Sequence, residues 1–315
     1  MICIFILNIL LLKSILNIRK KKNIYLFLSG GFGNQLFQYA YAKNLSIKNK
    51  ANLIVDNYSG FLFDLKYFRN FSLNIKAKKK MIFFFNFFRI FKKLFLKNKL
   101  INKLFFKIVI NEFPFNKKFN KKILDLNTKK DLYLFGLFQS DKYFIENTKM
   151  IINELMPRKP KLKNFLIKQK EIVHSNSIII GFRFFEESSN RAIKEAGGVV
   201  GINFYIKSIK LMLTRVKNPK FYFFSQNLNN LKKNIKKIHF LENYFCDFIT
   251  PQNGFKDENA NLWLMSHSKN FIIPNSTFFW WAAYFSKYRF KNNNVICSGN
   301  FPNKDTCLST WNTLK

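Results

Sequence analysis

Short apolar runs alternate with amphipathic stretches along the second half of the chain. The apolar runs cover residues 177–182, 221–224, 271–273 and 294–297, and each ends at polar or glycine-containing positions. Buried strands separated by helices are typical of a parallel sheet that is covered by helices. The pattern therefore predicts an α/β fold, with functional side chains at the carboxyl ends of the strands.

An earlier strand and helix are predicted near the start of the chain. The apolar run 24–28 is followed by Ser-Gly-Gly-Phe-Gly-Asn-Gln, after which apolar residues recur at helical spacing. A proline-containing segment, residues 154–163, then separates two halves, because prolines at this density discourage continuous helix or sheet. We therefore predict an N-terminal extension over 1–22, a first domain over 23–160 and a second domain over 161–315.

The glycine-rich turn after the first strand is a candidate anion site. Such a corner places backbone N–H groups at a helix N-terminus, where the helix dipole favours a diphosphate. The turn lacks the third glycine of a dinucleotide fingerprint and the Gly-Lys-Ser/Thr of a P-loop, so an ordinary structural turn stays open as the alternative. The candidate contacts in it are Gly31, Gly33, Asn34 and Gln35.

Three later strand ends supply further candidates. They are Arg183 and Glu186, then Ser225 and Asn227, then Asn275, Ser276 and Thr277. A guanidinium can pair bidentately with phosphate oxygens and stays charged, although a surface salt bridge is the simpler interpretation of an arginine. Asn, Ser and Thr are also the usual helix N-caps, and the pair at 225 and 227 also fits a plain strand-end turn. Gln139 and Ser140 present the same choice between ligand contact and turn.

The most informative feature of the composition is the charge. The formal net charge is +37, but Lys, Phe, Ile and Asn are all abundant, and much of the lysine is expected to be solvated surface. The segment 76–107 is different, because it holds 11 Lys or Arg and no acidic residue, interleaved with Phe and Leu. Such a segment suits an anionic membrane surface, and a helical insertion packed on its own domain is the rival. No nucleic-acid recognition motif accompanies it.

The remaining composition argues against several classes of site. The cysteines, Cys3, Cys246, Cys297 and Cys307, contain no C-x-x-C pair, so neither a disulfide framework nor a zinc site is predicted, and a reducing cytoplasmic setting fits best. The three histidines have no metal-binding spacing and are interpreted as structural or exposed. The apolar start of the chain is too short for a confident membrane span, which leaves a weak membrane anchor or a start residue assigned too far upstream.

Four blocks in this order carry a resemblance to a known family. They read GGFGNQLFQYA from residue 30, LFGLFQSDKYF from 134, FYFFSQN from 221 and NLWLMSHSKNFIIPNSTFFWWAA from 261. Together they resemble the bacterial alpha-1,2-fucosyltransferases of glycosyltransferase family 11, from about residue 25 to about 311. The N-terminal extension and the basic segment lie outside the resemblance.

The resemblance implies a GT-B-like fold of two Rossmann-like domains facing a cleft. It also implies transfer of L-fucose from GDP-L-fucose to the 2-hydroxyl of an acceptor sugar such as galactose, with inversion and without a metal or other cofactor. The sequence contains no Asp-x-Asp pair to hold a divalent ion on the diphosphate. The leaving GDP then needs cationic side chains, hydroxyls and helix N-termini, and Arg183 is the main candidate.

The chain departs from the family at the end of the strand 177–182. The family shows His-x-Arg-Arg-x-x-Asp-like residues there, whereas this chain reads Gly-Phe-Arg-Phe-Phe-Glu from 181 to 186. The family's Ser-Asp-Asp becomes Ser-Gln-Asn at 225–227. Two explanations for the loss of the histidine and the second arginine stay open. Glu186, Glu187 or Arg191 compensates for the lost groups, or the active site is weakened or inactive. Glu186 and Glu187 are the first candidates for the catalytic base, and Asp257 and Glu258 are the second.

These observations predict a fucosyltransferase of bacterial surface-polysaccharide synthesis, such as O-antigen or capsule, that acts on the cytoplasmic face of the inner membrane. Its partners would be a nucleotide sugar, a glycan acceptor and an anionic membrane surface. Two rivals stay open: a related transferase with another nucleotide sugar, and a non-catalytic polyanion-binding protein on a decayed scaffold.

Overall fold

The computed structural model describes residues 22–61, 77–82, 109–111, 118–126, 131–186 and 188–315. Within them the chain forms two sheets, and every strand pairing in both is parallel. The first sheet uses strands before residue 136 and the second uses strands after residue 175. This is the α/β, GT-B-like architecture that the resemblance implied, with two Rossmann-like units facing a cleft.

The first sheet has the strand order β3-β2-β1-β5-β4. Its strands are β1 (Asn23–Phe27), β2 (Asn52–Asp56), β3 (Lys78–Lys79), β4 (Val109–Asn111) and β5 (Leu132–Phe135). Its helices are α1 (Phe32–Lys48), α2 (Lys121–Leu124) and α3 (Thr148–Leu155), with 3-10 helices Asp141–Tyr143 and Ile145–Asn147 before α3. The chain order reverses between β1 and β5, so the switch point of this sheet lies where the glycine-rich turn leaves β1.

The second sheet has the strand order β11-β10-β9-β6-β7-β8. Its strands are β6 (Asn176–Gly181), β7 (Pro219–Phe224), β8 (Phe245–Ile249), β9 (Asn270–Ile273), β10 (Asn294–Ser298) and β11 (Asn312–Leu314). Its helices are α4 (Lys163–Val173), α5 (Asn190–Glu195), α6 (Ile202–Leu213), α7 (Leu228–Ile235), α8 (Glu258–Met265) and α9 (Thr277–Phe290), with 3-10 helices His239–Asn243 and Pro251–Asn253. The switch point lies between β6 and β9, next to Arg183 and Asn275.

Helices α1 and α9 join the two sheets. Trp280 and Trp281 are fully buried, and their rings pack on Phe37 of α1 at centroid distances of 4.4 and 5.0 Å. The indole nitrogen of Trp281 donates to the carbonyl oxygen of Gly33. Because one apolar cluster extends across both helices, the two switch points are held face to face.

The five strands predicted from apolar runs are confirmed to within two residues at each end. The absence of disulfides predicted from cysteine spacing is corrected, because Cys297 and Cys307 are bonded to each other. The turn between β10 and β11 brings these sulfur atoms together, and linear spacing does not reveal such a turn. The N-terminal extension, Glu187 and most of the basic segment 76–107 lie outside the described residues.

Candidate functional site

A cleft of about 730 Å³ lies where the two switch points meet. Its walls come from the loops after β1, β5, β6, β7, β8 and β9, which are all carboxyl ends of strands. Ten of the eleven residues predicted for the site line this cleft: Gly31, Gly33, Asn34, Arg183, Glu186, Ser225, Asn227, Asn275, Ser276 and Thr277. Convergence of polar groups at facing switch points is the usual arrangement of a ligand site in α/β proteins.

Gln35 is the predicted residue that does not line the cleft. Its side chain is fully buried, and its amide nitrogen donates to the carbonyl oxygen of Gly30 at 2.8 Å. Gln38, one helical turn further, holds both backbone groups of Ser29 in the same way. The two glutamines therefore shape the glycine-rich turn from beneath, and a direct ligand contact by Gln35 is not supported.

Asn34 connects the two halves of the site. Its side-chain oxygen accepts hydrogen bonds from the Gln139 amide and from the Thr277 hydroxyl, each at 2.9 Å. These partners follow β5 and β9, so one amide oxygen joins both switch points. Asn34 is thereby held in one orientation at the cleft wall.

Two long helices begin at the cleft without side-chain caps. Gly31 is the N-cap of α1 and Ser276 is the N-cap of α9, and neither makes a capping hydrogen bond through a side chain. Gly33 lets the two helix starts approach, since a Cβ there would lie 2.4 Å from the backbone of Thr277 and Phe278. Uncapped N–H groups and two helix dipoles favour negative charge at this place.

Arg183 follows β6 and lines the cleft, and the residues on either side of it pack on the apolar cluster of the second sheet. Phe182 stacks on Tyr205 with 3.8 Å between ring centroids, and Phe184 packs on the same apolar cluster of the second sheet. Arg183 itself has a quarter of its side chain exposed, and its nearest ion-pair partner among the described residues is Glu186, at 4.0 Å. That distance is too long for a hydrogen bond, so the guanidinium donors remain available to a ligand.

The other strand ends are partly occupied by local bonds. Asn227 caps α7, because its side-chain oxygen accepts from the Asn230 N–H at 2.9 Å, and the Ser225 hydroxyl accepts from the Asn227 N–H. Asn275 donates to the carbonyl oxygens of Ala196 and Gly198 at 2.7 and 2.9 Å. The turn and capping interpretations thus describe part of what these side chains do, and their contact with a donor stays a prediction.

Several cleft residues were missed by sequence reasoning. Phe255, Phe301, Lys256 and Asn261 line the cleft, whereas Ser140 is buried and donates to the backbone of Asp305. The cue that was present is position, since 255–261 follow β8 and Phe301 follows β10. Neither strand end was singled out, because the polar side chains there form no recognised motif. Phe255 and Phe301 add aromatic surface to the cleft lining, and Lys256 and Asn261 add polar groups.

The candidates for metal and proton chemistry can be placed in part. Within the described ranges, no group of three or more His, Cys, Asp or Glu side chains is arranged to hold a metal ion. Glu186 and Glu258 line the cleft, whereas Asp257 caps α8 by accepting from the Ala260 N–H. Burial, aided by Arg289, lowers the pKa of His267 to about 4, and this histidine lies at the end of α8, outside the cleft lining.

No helix among the described residues combines the length and the apolar character that crossing a membrane requires. This finding covers neither the N-terminal extension nor the undescribed part of the basic segment.

Comparison with known proteins gives both relatives and a family. The chain is 29% identical to an alpha-1,2-colitosyltransferase of Escherichia coli, over 83% of this chain and 87% of that protein. It is 26% identical to the O-antigen biosynthesis glycosyltransferase WbnK of Escherichia coli, over 85% and 92%. The crystal structure of the fucosyltransferase NodZ from Bradyrhizobium is similar over 84% of this chain and 92% of NodZ, at 12% identity and a TM-score of 0.46.

The family model named Glycosyl transferase family 11 matches residues 23–306. The match begins at β1, ends in the loop before β11, and includes all four blocks that carried the resemblance. Since it covers most of the sequence, the chain belongs to glycosyl transferase family 11.

Proposed function

We propose that the protein transfers L-fucose from GDP-L-fucose to the 2-hydroxyl of a galactose-containing acceptor during O-antigen synthesis. The family supports sugar transfer, and two relatives, an alpha-1,2-colitosyltransferase and an O-antigen biosynthesis glycosyltransferase, support the linkage and the pathway. The finer assignment to fucose and galactose is what the experiment below tests.

One observation carries the proposal. Arg183 presents a guanidinium that has no hydrogen bond with another described residue, in the same cleft as two helix N-termini that lack side-chain caps. A diphosphate carries the opposite charge and accepts hydrogen bonds at several oxygens. The cleft is therefore suited to stabilise GDP as it leaves.

The proposed reaction is a single displacement at the anomeric carbon. The acceptor oxygen attacks that carbon while the bond to the phosphate oxygen breaks, and the electron pair leaves with GDP. Arg183 and the helix N-termini stabilise the charge that grows on the phosphate. The Glu186 carboxylate, at the same cleft wall, accepts the proton of the acceptor hydroxyl. These groups need no metal ion for the step.

A second donor is favoured by one specific observation. The relative with 29% identity is named for colitose, which is L-fucose without its 3-hydroxyl group. The chain also departs from the family pattern at Gly181, Phe184 and Gln226, near the strand ends that would contact a donor. GDP-colitose is therefore the alternative donor.

The test measures GDP release by purified protein with EDTA present. GDP-fucose, GDP-colitose, GDP-mannose and UDP-galactose are compared, each with and without a galactoside. Release from GDP-fucose that rises with the galactoside, followed by detection of a 1,2 linkage in the product, would support the proposal. Faster release from GDP-colitose would favour the second donor. No turnover with any donor, and no stabilisation by GDP, would overturn the function.

A further inference from the structure

The aromatic ring of Phe185 lies against the guanidinium of Arg183. The Arg183 Cζ atom is 4.9 Å from the ring centroid, within the range of a cation–π interaction. Phe185 is 9% exposed and lines the same cleft. The neighbouring Phe182 and Phe184 pack on the apolar cluster of the second sheet, whereas the Phe185 ring lies against Arg183.

The backbone of Phe185 is unusual in a way that brings the ring to this place. Its φ is +59°, in the left-handed region that bulky residues rarely adopt. The turn is closed by a hydrogen bond from the Ser188 N–H to the Phe185 carbonyl oxygen at 2.9 Å. A strained conformation of this kind persists where its surroundings impose it, and it is a recognised sign of a functional constraint.

A ring positions a guanidinium differently from a carboxylate. A carboxylate would orient Arg183 by taking up its N–H donors and offsetting its charge, whereas a ring attracts the cation through its face and leaves the donors free. The described residues place only Glu186 near Arg183, at 4.0 Å.

We propose that Phe185 is a positioning residue, which holds the Arg183 guanidinium against its ring and leaves the N–H donors free to bind the diphosphate of the donor. The inference rests on the proposed function, since it assumes a nucleoside diphosphate beside Arg183. It does not depend on which sugar is attached.

A double-mutant cycle tests the coupling. The affinity for GDP is measured by calorimetry for the wild type, Phe185→Leu, Arg183→Ala and the double variant. Cation–π contacts predict that Phe185→Leu weakens GDP binding about three- to thirtyfold in the wild type and less than about twofold when Arg183 is already Ala. Phe185→Tyr keeps a ring and should stay within about threefold. Turnover with the active donor should follow the same order.

The control removes a similar contact elsewhere. Lys220 lies 5.1 Å from the Phe245 ring, and both residues are at the amino ends of β7 and β8, away from the cleft. Phe245→Leu should therefore leave GDP affinity unchanged. If Phe185→Leu does not fold, Phe185→Gly replaces it, since glycine adopts φ +59° readily. If Phe185→Leu weakens GDP binding equally with and without Arg183, the positioning role of Phe185 is overturned, and the proposed function is not affected. Failure of the wild type to bind any nucleotide would overturn the proposed function as well.

Discussion

Arg183 is a cation whose polar contacts in the described structure are sparse, so its removal should affect activity far more than stability. We expect Arg183→Ala to lower kcat/KM about 10²- to 10³-fold, because developing charge on the phosphate loses a preorganised partner. The free energy of unfolding should fall by no more than about 1 kcal/mol, the size of the lost contact with the Phe185 ring. Arg183→Lys keeps the charge without the planar fork and should recover only part of the rate.

Initial rates and thermal melts of the same preparations check this expectation. Arg215→Ala, which removes an exposed arginine after α6, serves as the control and should behave as the wild type. A variant without Arg183 that melts well below the wild type would show that the arginine is structural. Full activity in that variant would contradict the proposed mechanism.

Residues that line the cleft were predicted well where they follow apolar runs, and their contact with a donor stays a prediction. Arg183, Ser225 and Asn275 each come directly after a run that forms a central strand, and the parallel sheet brings such ends together. Gln35 was misplaced because its neighbours in the motif face the cleft while its own amide turns inward to Gly30. Helical phase within a motif cannot show which side a ligand occupies.

Gly33 is required by a tertiary contact that no local pattern reveals. Gly33 lies in the first turn of α1, where alanine would ordinarily favour the helix by up to about 1 kcal/mol. Here the added Cβ would lie 2.4 Å from backbone atoms of α9, which cannot rotate aside. We therefore expect Gly33→Ala to lower the free energy of unfolding by about 1–3 kcal/mol and to reduce activity strongly.

Denaturant unfolding monitored by tryptophan fluorescence measures this change, because both interface tryptophans report on the contact. Gly201→Ala is a suitable comparison, since nothing lies within 4 Å of a Cβ there, and its effect should stay below about 1 kcal/mol. If Gly33→Ala proves as stable as the wild type, the close approach of α1 and α9 is wrong.

At the scale of elements, the end of α8 carries a titratable group that should make stability depend on pH. His267 bonds through Nδ1 to the Trp263 carbonyl oxygen at 2.7 Å, and burial together with Arg289 lowers its pKa to about 4. The unfolded chain would protonate it near pH 6.5. Its contribution is therefore complete above pH 6.5 and is lost as pH falls from 6.5 to 4, by about 1–3 kcal/mol.

Replacement of His267 by Gln should remove much of this dependence while leaving an amide that can still donate to Trp263. Urea unfolding at pH 7.0, 5.5 and 4.5 for both proteins measures the difference between them. As pH falls, the free energy of unfolding of the wild type should decrease more than that of the variant. Parallel pH profiles for the two proteins would mean that His267 does not titrate in this window.

The elements that define the cleft also explain which parts of the fold resisted prediction. Strands β1, β6, β7, β9 and β10 are rich in apolar residues, so pattern alone revealed them. Strand β8 reads Phe-Cys-Asp-Phe-Ile and lies at an edge, and β11 has only three residues. Edge strands need fewer buried side chains, and their sequences therefore resemble loops. Phe255 was missed because it follows β8, whereas Phe301 follows the predicted strand β10 and was missed because no motif marks that strand end.

At the scale of the whole molecule, the two sheets are joined by more than apolar packing. The Thr306 hydroxyl donates to the Gln139 carbonyl oxygen, and the Thr306 carbonyl oxygen accepts from the Trp280 indole, each at 2.7 Å. The Ser140 hydroxyl donates to the Asp305 backbone. The bonds of Thr306 to Gln139 and of Ser140 to Asp305, with the Asn34 bridge, cross from the first unit to the second. The cleft geometry therefore depends on both sheets at once.

Charge is the other property of the whole molecule, and it leads to a proposal about location. We propose that the enzyme acts as a peripheral protein on the cytoplasmic face of the inner membrane, held there by the basic segment 76–107. The net charge is +37, and in the described part of this segment Lys78, Lys79, Lys80 and Met81 are exposed. Each basic residue near an anionic surface contributes about 1 kcal/mol, and apolar side chains add to it.

The expected result is that a variant lacking residues 83–107 no longer sediments with phosphatidylglycerol vesicles. The deletion should spare residues 77–82, because the Ile82 N–H is bonded to Asp56 and β3 pairs with β2. Wild-type binding should fall at high salt and on phosphatidylcholine vesicles, since the attraction is electrostatic. Transfer to a water-soluble galactoside should persist in the deletion variant, which separates loss of membrane binding from loss of fold. Undiminished sedimentation of that variant would overturn the role of residues 83–107 in membrane binding.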